Sequence, residues 1–271
     1  MTGWRFGPAP FLIAGPCVVE DDATMLRIAE RLAAIGERHD LAVCFKASFD
    51  KANRARGDAP RGPGLDAGLA ALQRVRNATG LPLLTDVHES AQVSRVAAVA
   101  DVLQIPAFLC RQTDLLVAAG QSGKPVNIKK GQWMQAEAMA GAVVKVRHGG
   151  STELAVTERG TFFGYGDLVV DHRNFVRLRD AAGCAVVYDA THSVQQPGRA
   201  ADGASGGQRE HIPALLAAAA AAGADGFFIE THPDPARALS DAATQWPLDQ
   251  LESLIERTLA VWHAAREHAG V

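Results

Sequence analysis

The stretch Leu81–Ile105, LPLLTDVHESAQVSRVAAVADVLQI, decides the fold. It opens on an apolar run, Leu81–Leu84, and passes through Thr85-Asp86-Val87-His88. The spacing then predicts a helix over Glu89–Val99, followed by a second apolar run, Val102–Ile105. Short, continuously apolar strands on either side of a helix mark a parallel sheet covered on both faces.

The same unit repeats in both directions. Upstream, strands are predicted over Phe11–Ala14 and Leu41–Phe45, and helices over Thr24–Ile35 and Leu65–Val75. The first helix shows the period plainly, with Met25, Ile28, Ala29, Leu32 and Ile35 on one face. Downstream, strands are predicted over Val126–Ile128, Leu154–Val156, Ala185–Tyr188 and Gly226–Ile229. The helices between and after them are Asp114–Ala119, Met134–Val144, Phe175–Ala182, Glu210–Ala222, Arg237–Ala243 and Leu248–Ala265. This succession predicts the α/β class and a single-domain (β/α)8 TIM barrel over residues 1–271. An open doubly wound sheet is the rival. The lack of G-x-G-x-x-G after the first strand counts against its dinucleotide-binding version.

With 271 residues, 48 % hydrophobic and 21 % charged, the chain can bury a sizeable core. A formal net charge of -3 gives no support to a nucleic-acid partner, so any basic site must be local. No apolar run reaches the roughly 20 residues of a membrane span. The start, MTGWRFGPAPFLIAGPC, lacks the basic flank and long apolar core of a signal peptide, so a cytoplasmic location is expected. The four cysteines have no C-x-x-C spacing and do not form a disulfide framework. Cys44 and Cys184 sit in strand-like runs and read as core; Cys17, after Gly15-Pro16, stands where chemistry is expected.

Polar residues gather at one kind of place. Cys17, Lys46, Asp86, Gln104, Lys129, Glu158, Arg159, Asp189, His192 and Glu230 all fall at or just past the C-terminal ends of predicted strands. In a barrel those ends converge on one mouth, where active sites are built. The basic segment Lys46–Gly64, KASFDKANRARGDAPRGPG, enters the same mouth and has the composition of an anion site or of a solvated loop. Lys46, Lys51, Lys129 and Arg159 are the anion candidates, against the plainer reading that each pairs with Asp86, Glu158 or Asp189. Lys130 is expected to point outward. Arg54, Arg56, Arg61 and Arg111 are candidates for a second, more distal anion. Cys17, His192 and Glu230 come from the first, seventh and eighth strands, which a closed barrel makes neighbours, and Asp241 can fold back on them. Thiolate, imidazole and carboxylates suit a borderline divalent metal. The alternative is a packed thiol and a hydrogen-bonded imidazole.

Ten short segments in order carry a resemblance. They include LIAGPCVVE at Leu12–Glu20, FKASFDKANR at Phe45–Arg54, LLTDVHE at Leu83–Glu89 and LQIPAFLCRQTDLL at Leu103–Leu116. NIKKGQW at Asn127–Trp133, TERG at Thr157–Gly160, FGYGDLVVD at Phe163–Asp171 and DATHSVQQPG at Asp189–Gly198 continue the set. RGPG at Arg61–Gly64 and the stretch from Glu230 to Asp241 complete it. Over nearly its whole length the chain resembles the 3-deoxy-D-manno-octulosonate 8-phosphate synthases. The resemblance implies condensation of phosphoenolpyruvate with D-arabinose 5-phosphate by a cytoplasmic, typically homotetrameric barrel, on the route to lipopolysaccharide.

Carried over by motif, Lys46 and Lys51 line the reaction site, and Lys129, Arg159, Gln104, Pro106 and Ala107 bind phosphoenolpyruvate. Asn53 and Arg54 bind the sugar phosphate, and Arg111 is expected to reach that phosphate from a neighbouring subunit. Cys17 stands where metal-independent members carry Asn, which implies the metal-dependent class, with His192, Glu230 and Asp241 as the other ligands. Zn, Fe, Mn, Co and Cd all suit that set. His192 and Asp241 are also assigned to the catalytic group. The family usually reads KANRSS where this chain has KANRAR, so a backbone N–H or Arg56 is expected to replace the serine donor lost at Ala55. Two rivals remain: a 3-deoxy-heptulosonate 7-phosphate (DAHP) synthase using erythrose 4-phosphate, and a non-catalytic barrel that binds anionic metabolites. The glycine-rich loop Gln195–Gln208 is expected to act as a lid.

Overall fold

The computed structural model describes residues 4–54, 57–199 and 205–267. Eight parallel strands follow one another around a closed barrel: β1 (Phe11–Gly15), β2 (Ala42–Lys46), β3 (Leu83–Asp86), β4 (Val102–Ile105), β5 (Val126–Lys129), β6 (Leu154–Glu158), β7 (Ala185–Asp189) and β8 (Gly226–His232). Pairing of β8 with β1, from Phe11 opposite Gly226 to Gly15 opposite Glu230, closes the ring and removes both sheet edges. The doubly wound alternative is thereby excluded.

Eight helices surround the strands: α1 (Asp22–Arg38), α2 (Leu65–Thr79), α3 (Val93–Val99), α4 (Thr113–Gln121), α5 (Met139–Gly149), α6 (Asn174–Ala182), α7 (Ile212–Ala221) and α8 (Leu251–Glu267). In α1 the predicted stripe Met25, Ile28, Ala29, Leu32 and Ile35 is buried. Asp21 caps this helix by accepting the Thr24 N–H at 3.0 Å.

The strands are apolar on both faces for two different reasons. One set, including Leu12, Val43, Phe45, Leu103, Ile128, Val156 and Ile229, packs with the helices. The other set, Phe11, Ile13, Cys44, Leu84, Val102, Ala155, Val187 and Phe228, forms a separate core joined by Trp4. Trp4 stacks edge-on against Phe11, with ring centroids 5.8 Å apart. Beyond this apolar layer, toward the C-terminal strand ends, the buried residues change to Lys46, Asp86, Gln104, Lys129, Thr157, Asp189 and Glu230. The barrel is therefore a packed plug below and a polar cup above.

Two expectations about elements fail, and one further element is found. No helix forms over Arg237–Ala243; a 3-10 turn, Pro235–Arg237, leads into irregular chain. Asp241 takes a left-handed conformation, φ 51°, which a helix cannot hold, because this segment folds back over the mouth. The helix expected over Met134–Val144 is displaced: α5 begins at Met139 after a 3-10 turn, Ala136–Ala138, and ends at Gly150 in the left-handed region. A hairpin between β6 and α6, Thr161–Gly164 with Asp167–Val169, was not expected; Tyr165-Gly166, both at positive φ, make its two-residue turn. Cys44 lies in the core as expected, whereas Cys184 is only partly covered.

Candidate active site

The polar cup opens into a cavity of about 890 Å³. Lys46, Lys51, Asn53, Arg54, Gln104, Pro106, Ala107, Lys129, Arg159, His192 and Asp241 all line it. Cys17 and Glu230 are fully buried against its wall.

The metal candidates meet. Cys17 Sγ donates to Asp241 Oδ2 at 3.1 Å, and one ligand atom each from Cys17, Glu230 and Asp241 lies within 4.8 Å of the others. His192 Nε2 is 3.7 Å from Glu230 Oε1 and 3.7 Å from Asp241 Oδ2. Glu230 Oε2 is buried without a hydrogen-bond partner among the described residues. An orphaned carboxylate oxygen beside a thiol, an imidazole and a second carboxylate is a donor set that fits a divalent cation. Burial, with Asp241 and Glu230 adding, pushes the Cys17 thiol well up, so a cation bound there would have to displace its proton.

Lys46 Nζ binds this group from below, donating to Glu230 Oε1 at 2.6 Å and to the Cys17 carbonyl at 2.9 Å. Burial opposes the charge on Glu230, but Lys46, His192 and Lys51 hold its pKa down at about 2. Lys129 Nζ donates to Asp189 Oδ2 at 2.5 Å and sits 3.1 Å from the centroid of the Phe228 ring. Burial lowers the Lys129 pKa to about 8 despite that partner. Asp189 moves strongly down, because His192, Lys129 and Arg159 outweigh its burial. One carboxylate faces both Lys129 and Arg159 as well as the His192 ring, so the two cations are only partly compensated. Asp189 also accepts the His192 backbone N–H at 3.0 Å and lies 3.0 Å from Nδ1, which leaves Nε2 toward the metal candidates.

Two guanidinium groups are incomplete. Arg159 Nη2 donates to Gln195 Oε1 at 3.0 Å, while its buried Nη1 has no partner among the described residues. Arg54 Nη1 donates to Ser240 Oγ at 2.8 Å, and its buried Nη2 likewise has none. Lys51 Nζ donates to Ser48 Oγ at 2.9 Å, and Ser48 in turn donates to Asp86. Burial works against the Lys51 charge, but Cys17, Glu230, Asp86 and Asp241 raise its pKa above the usual lysine value.

Arg111 is exposed and lies outside the cavity lining of its own chain. Several expectations are corrected. Arg61 pairs with Asp50 through Nε at 2.8 Å, so it braces the basic segment instead of reaching an anion. Glu158 turns away from the mouth: it accepts the Gly160 N–H at 2.8 Å and Asn174 Nδ2 at 2.9 Å. Lys130 is fully buried, not outward, 3.4 Å from Glu158 Oε1 and 3.2 Å from Thr161 Oγ1. Ala55 and Arg56 lie outside the described residues, as does 200–204 of the expected lid. The described flanks of that loop pair as Gln195–Gln196 with Gly206–Gly207. The sequence reading gave no role to Ser48, Ser240 or Gln195, whose only signal is proximity in the folded chain.

The sequence pattern of the DAHP synthetase I family matches residues 7–264. The chain is 54 % identical over 250 residues to the 2-dehydro-3-deoxyphosphooctonate aldolase of Syntrophotalea carbinolica, covering 92 % of this chain and 90 % of that protein. It is 52 % identical over 255 residues to 2-dehydro-3-deoxyphosphooctonate aldolase 1 of Arabidopsis thaliana, covering 93 % and 88 %. The aldolase of that name from Stenotrophomonas maltophilia strain K279a is 50 % identical over 258 residues, covering 95 % and 93 %. With its barrel closed and its strand-end residues gathered in one cavity, the chain belongs to the DAHP synthetase I family and, within it, to the 2-dehydro-3-deoxyphosphooctonate aldolases, the 3-deoxy-D-manno-octulosonate 8-phosphate synthases.

Proposed function

We propose that the chain condenses phosphoenolpyruvate, D-arabinose 5-phosphate and water to 3-deoxy-D-manno-octulosonate 8-phosphate and inorganic phosphate. The supporting observation is the pair of orphaned guanidinium nitrogens, on Arg159 and Arg54, in one cavity. A buried donor without an acceptor is costly, and two such donors call for two anionic groups. Arg159, Lys129 and Lys51 hold the carboxylate and phosphate of phosphoenolpyruvate, with Gln104, Pro106 and Ala107 beside them. Asn53 and Arg54 take the sugar phosphate. C3 of phosphoenolpyruvate attacks the aldehyde carbon, water adds at C2, and phosphate leaves with cleavage of its bond to C2. The cations stabilise the charge that develops on the way.

Cys17, His192, Glu230 and Asp241 are the proposed ligands of a divalent metal (Zn, Fe, Mn, Co or Cd). When bound, it supplies Lewis acidity and orientation. Lys46 positions this set through Glu230 and the Cys17 carbonyl. His192 and Asp241 stand at the cavity wall, where they can also contact substrate.

The DAHP synthase reading shares the family pattern but not the opening motif. That branch tends to carry K-P-R-[ST] where this chain has Lys51-Ala52-Asn53-Arg54, and Asn53 lines the cavity. A non-catalytic barrel has no use for a complete ligand and cation set. We further propose a cytoplasmic homotetramer supplying lipopolysaccharide synthesis. Support for the oligomer comes from exposed Phe108, Trp133, Phe163 and Tyr165, and from Arg111 lying away from its own cavity. Among the described residues no helix is long and apolar enough to cross a membrane.

Phosphate release from phosphoenolpyruvate is the test, with arabinose 5-phosphate and erythrose 4-phosphate run in parallel, before and after chelation. Turnover with arabinose 5-phosphate that is lost on chelation and restored by added metal is expected. Full activity in a verified metal-free sample removes the metal; turnover with erythrose 4-phosphate alone removes the substrate.

A further inference from the structure

Below the reacting cations, a chain of buried side-chain hydrogen bonds crosses five consecutive strand ends. Thr157 Oγ1 donates to Asn127 Oδ1 at 2.7 Å. Asn127 Nδ2 donates to Gln104 Oε1 at 3.0 Å. Gln104 Nε2 donates to Asp86 Oδ1, and Ser48 Oγ donates to Asp86 Oδ2 from the other side. Ser48 Oγ also receives Lys51 Nζ at 2.9 Å. Thr157, Asn127 and Ser48 are completely buried, and Gln104 and Asp86 nearly so. The strand register builds this row. Asp86 is opposite Gln104, and Gln104 is opposite Asn127. Thr157 lies two residues beyond Ala155, the partner of Asn127, so it reaches Asn127 diagonally.

The row has one permitted direction. An ionised Asp86 can only accept, so both of its neighbours must donate to it. Gln104 then presents its amide N–H to Asp86 and its oxygen to Asn127. Asn127 must present N–H to Gln104 and its oxygen to Thr157. The row therefore needs a hydroxyl donor at its far end, which Thr157 provides. If that donor is lost, Asn127 Oδ1 is orphaned, the amide of Asn127 loses the contact that fixes its direction, and the row is held from the Asp86 end alone. A turned Gln104 places oxygen against carboxylate.

The geometry points to Thr157 and Asn127, neither of which lines the cavity, as positioning residues that lock the amide of Gln104 and the carboxylate of Asp86, and through Ser48 the ammonium of Lys51, for the anionic enol substrate. This inference rests on the condensation proposed above.

The test compares Thr157→Val, which keeps the shape and removes the hydroxyl, with Thr157→Ser, which keeps the hydroxyl. Thr157→Val is expected to raise the KM for phosphoenolpyruvate at least tenfold, with the KM for arabinose 5-phosphate changed less than threefold. Thr157→Ser is expected to restore the first value to within threefold of the unchanged chain. Equal KM values in all three proteins, or equal defects in the Val and Ser variants, overturn the inference. A measurement on the unchanged chain keeps it testable if the Val variant does not fold. With selective 15N labelling of Asn and Gln, the side-chain amides of Asn127 and Gln104 are expected to resist hydrogen exchange. Free exchange of both overturns the inference. Failure of the unchanged chain to turn over the two substrates instead overturns the proposed function, and the exchange result still decides the hydrogen-bonded row.

Discussion

Lys129 and Lys130 are neighbours in sequence with opposite fates. Lys129 ends β5 on the barrel interior, above Phe228 and against Asp189. Lys130 turns the other way and is buried among carbonyls beside Glu158. Lys129 has a lowered pKa of about 8, so its charged form is present below that pH and lost above it. Because an anionic substrate requires the charged form, kcat/KM for phosphoenolpyruvate should fall as pH rises through about 8, approaching about tenfold per unit. A profile flat from pH 7 to 10 removes Lys129 from binding. Lys130 predicts a different outcome. Lys130→Met leaves Glu158 buried without its cation and should cost about 3–5 kcal/mol in urea unfolding. The double change Lys130→Met/Glu158→Gln should cost less than the single one, since no buried charge is then left alone. A double variant less stable than the single removes this pairing.

At the scale of elements, the site depends on how closely β1 and β2 approach. A Cβ on Gly15 would come within 2.0 Å of the Lys46 carbonyl oxygen. Gly15 is therefore the contact that lets Cys17, two residues on, meet Lys46 and Glu230. Gly15→Ala should destabilise the fold by about 1–3 kcal/mol, as overpacking does. It should also weaken retention of the proposed metal more than Gly141→Ala, where the added Cβ meets nothing within 4 Å. Equal metal content after dialysis of both variants would show that strand spacing does not set the ligand geometry. The segment after β8 shows the reverse situation. Its sequence suggested a helix, yet Ser240 holds Arg54 and Asp241 receives Cys17. Those long-range contacts override the local pattern and fix a left-handed Asp241.

At the scale of the whole molecule, closure of the barrel makes one site from residues 224 positions apart, as the bond from Cys17 to Asp241 shows. The proposed assembly would add Arg111 to a neighbouring site. Arg111→Ala should keep the fold while raising the KM for arabinose 5-phosphate. At low arabinose 5-phosphate, mixed oligomers of Arg111→Ala and Arg159→Ala chains should turn over faster than either homogeneous protein, because some sites then draw both arginines intact. Mixed assembly verified by mass, with no recovery, places Arg111 outside the neighbouring site.

The sequence by itself determined the barrel and most of its mouth. Repeated apolar strands and helical stripes are local patterns, and parallel closure puts every strand end on one side. Lys46, Gln104, Lys129, Arg159 and His192 were legible because each falls at or just past the C-terminal end of a predicted strand. Only the tertiary structure decided which way a strand-end side chain turns. It sent Glu158 and Lys130 behind the site and set Asp189 among Lys129, Arg159 and His192 at once. It also joined Thr157, Asn127, Gln104 and Asp86 in one polarised row. Sequence periodicity records burial but not the register and stagger between strands, and those set which polar atoms can meet.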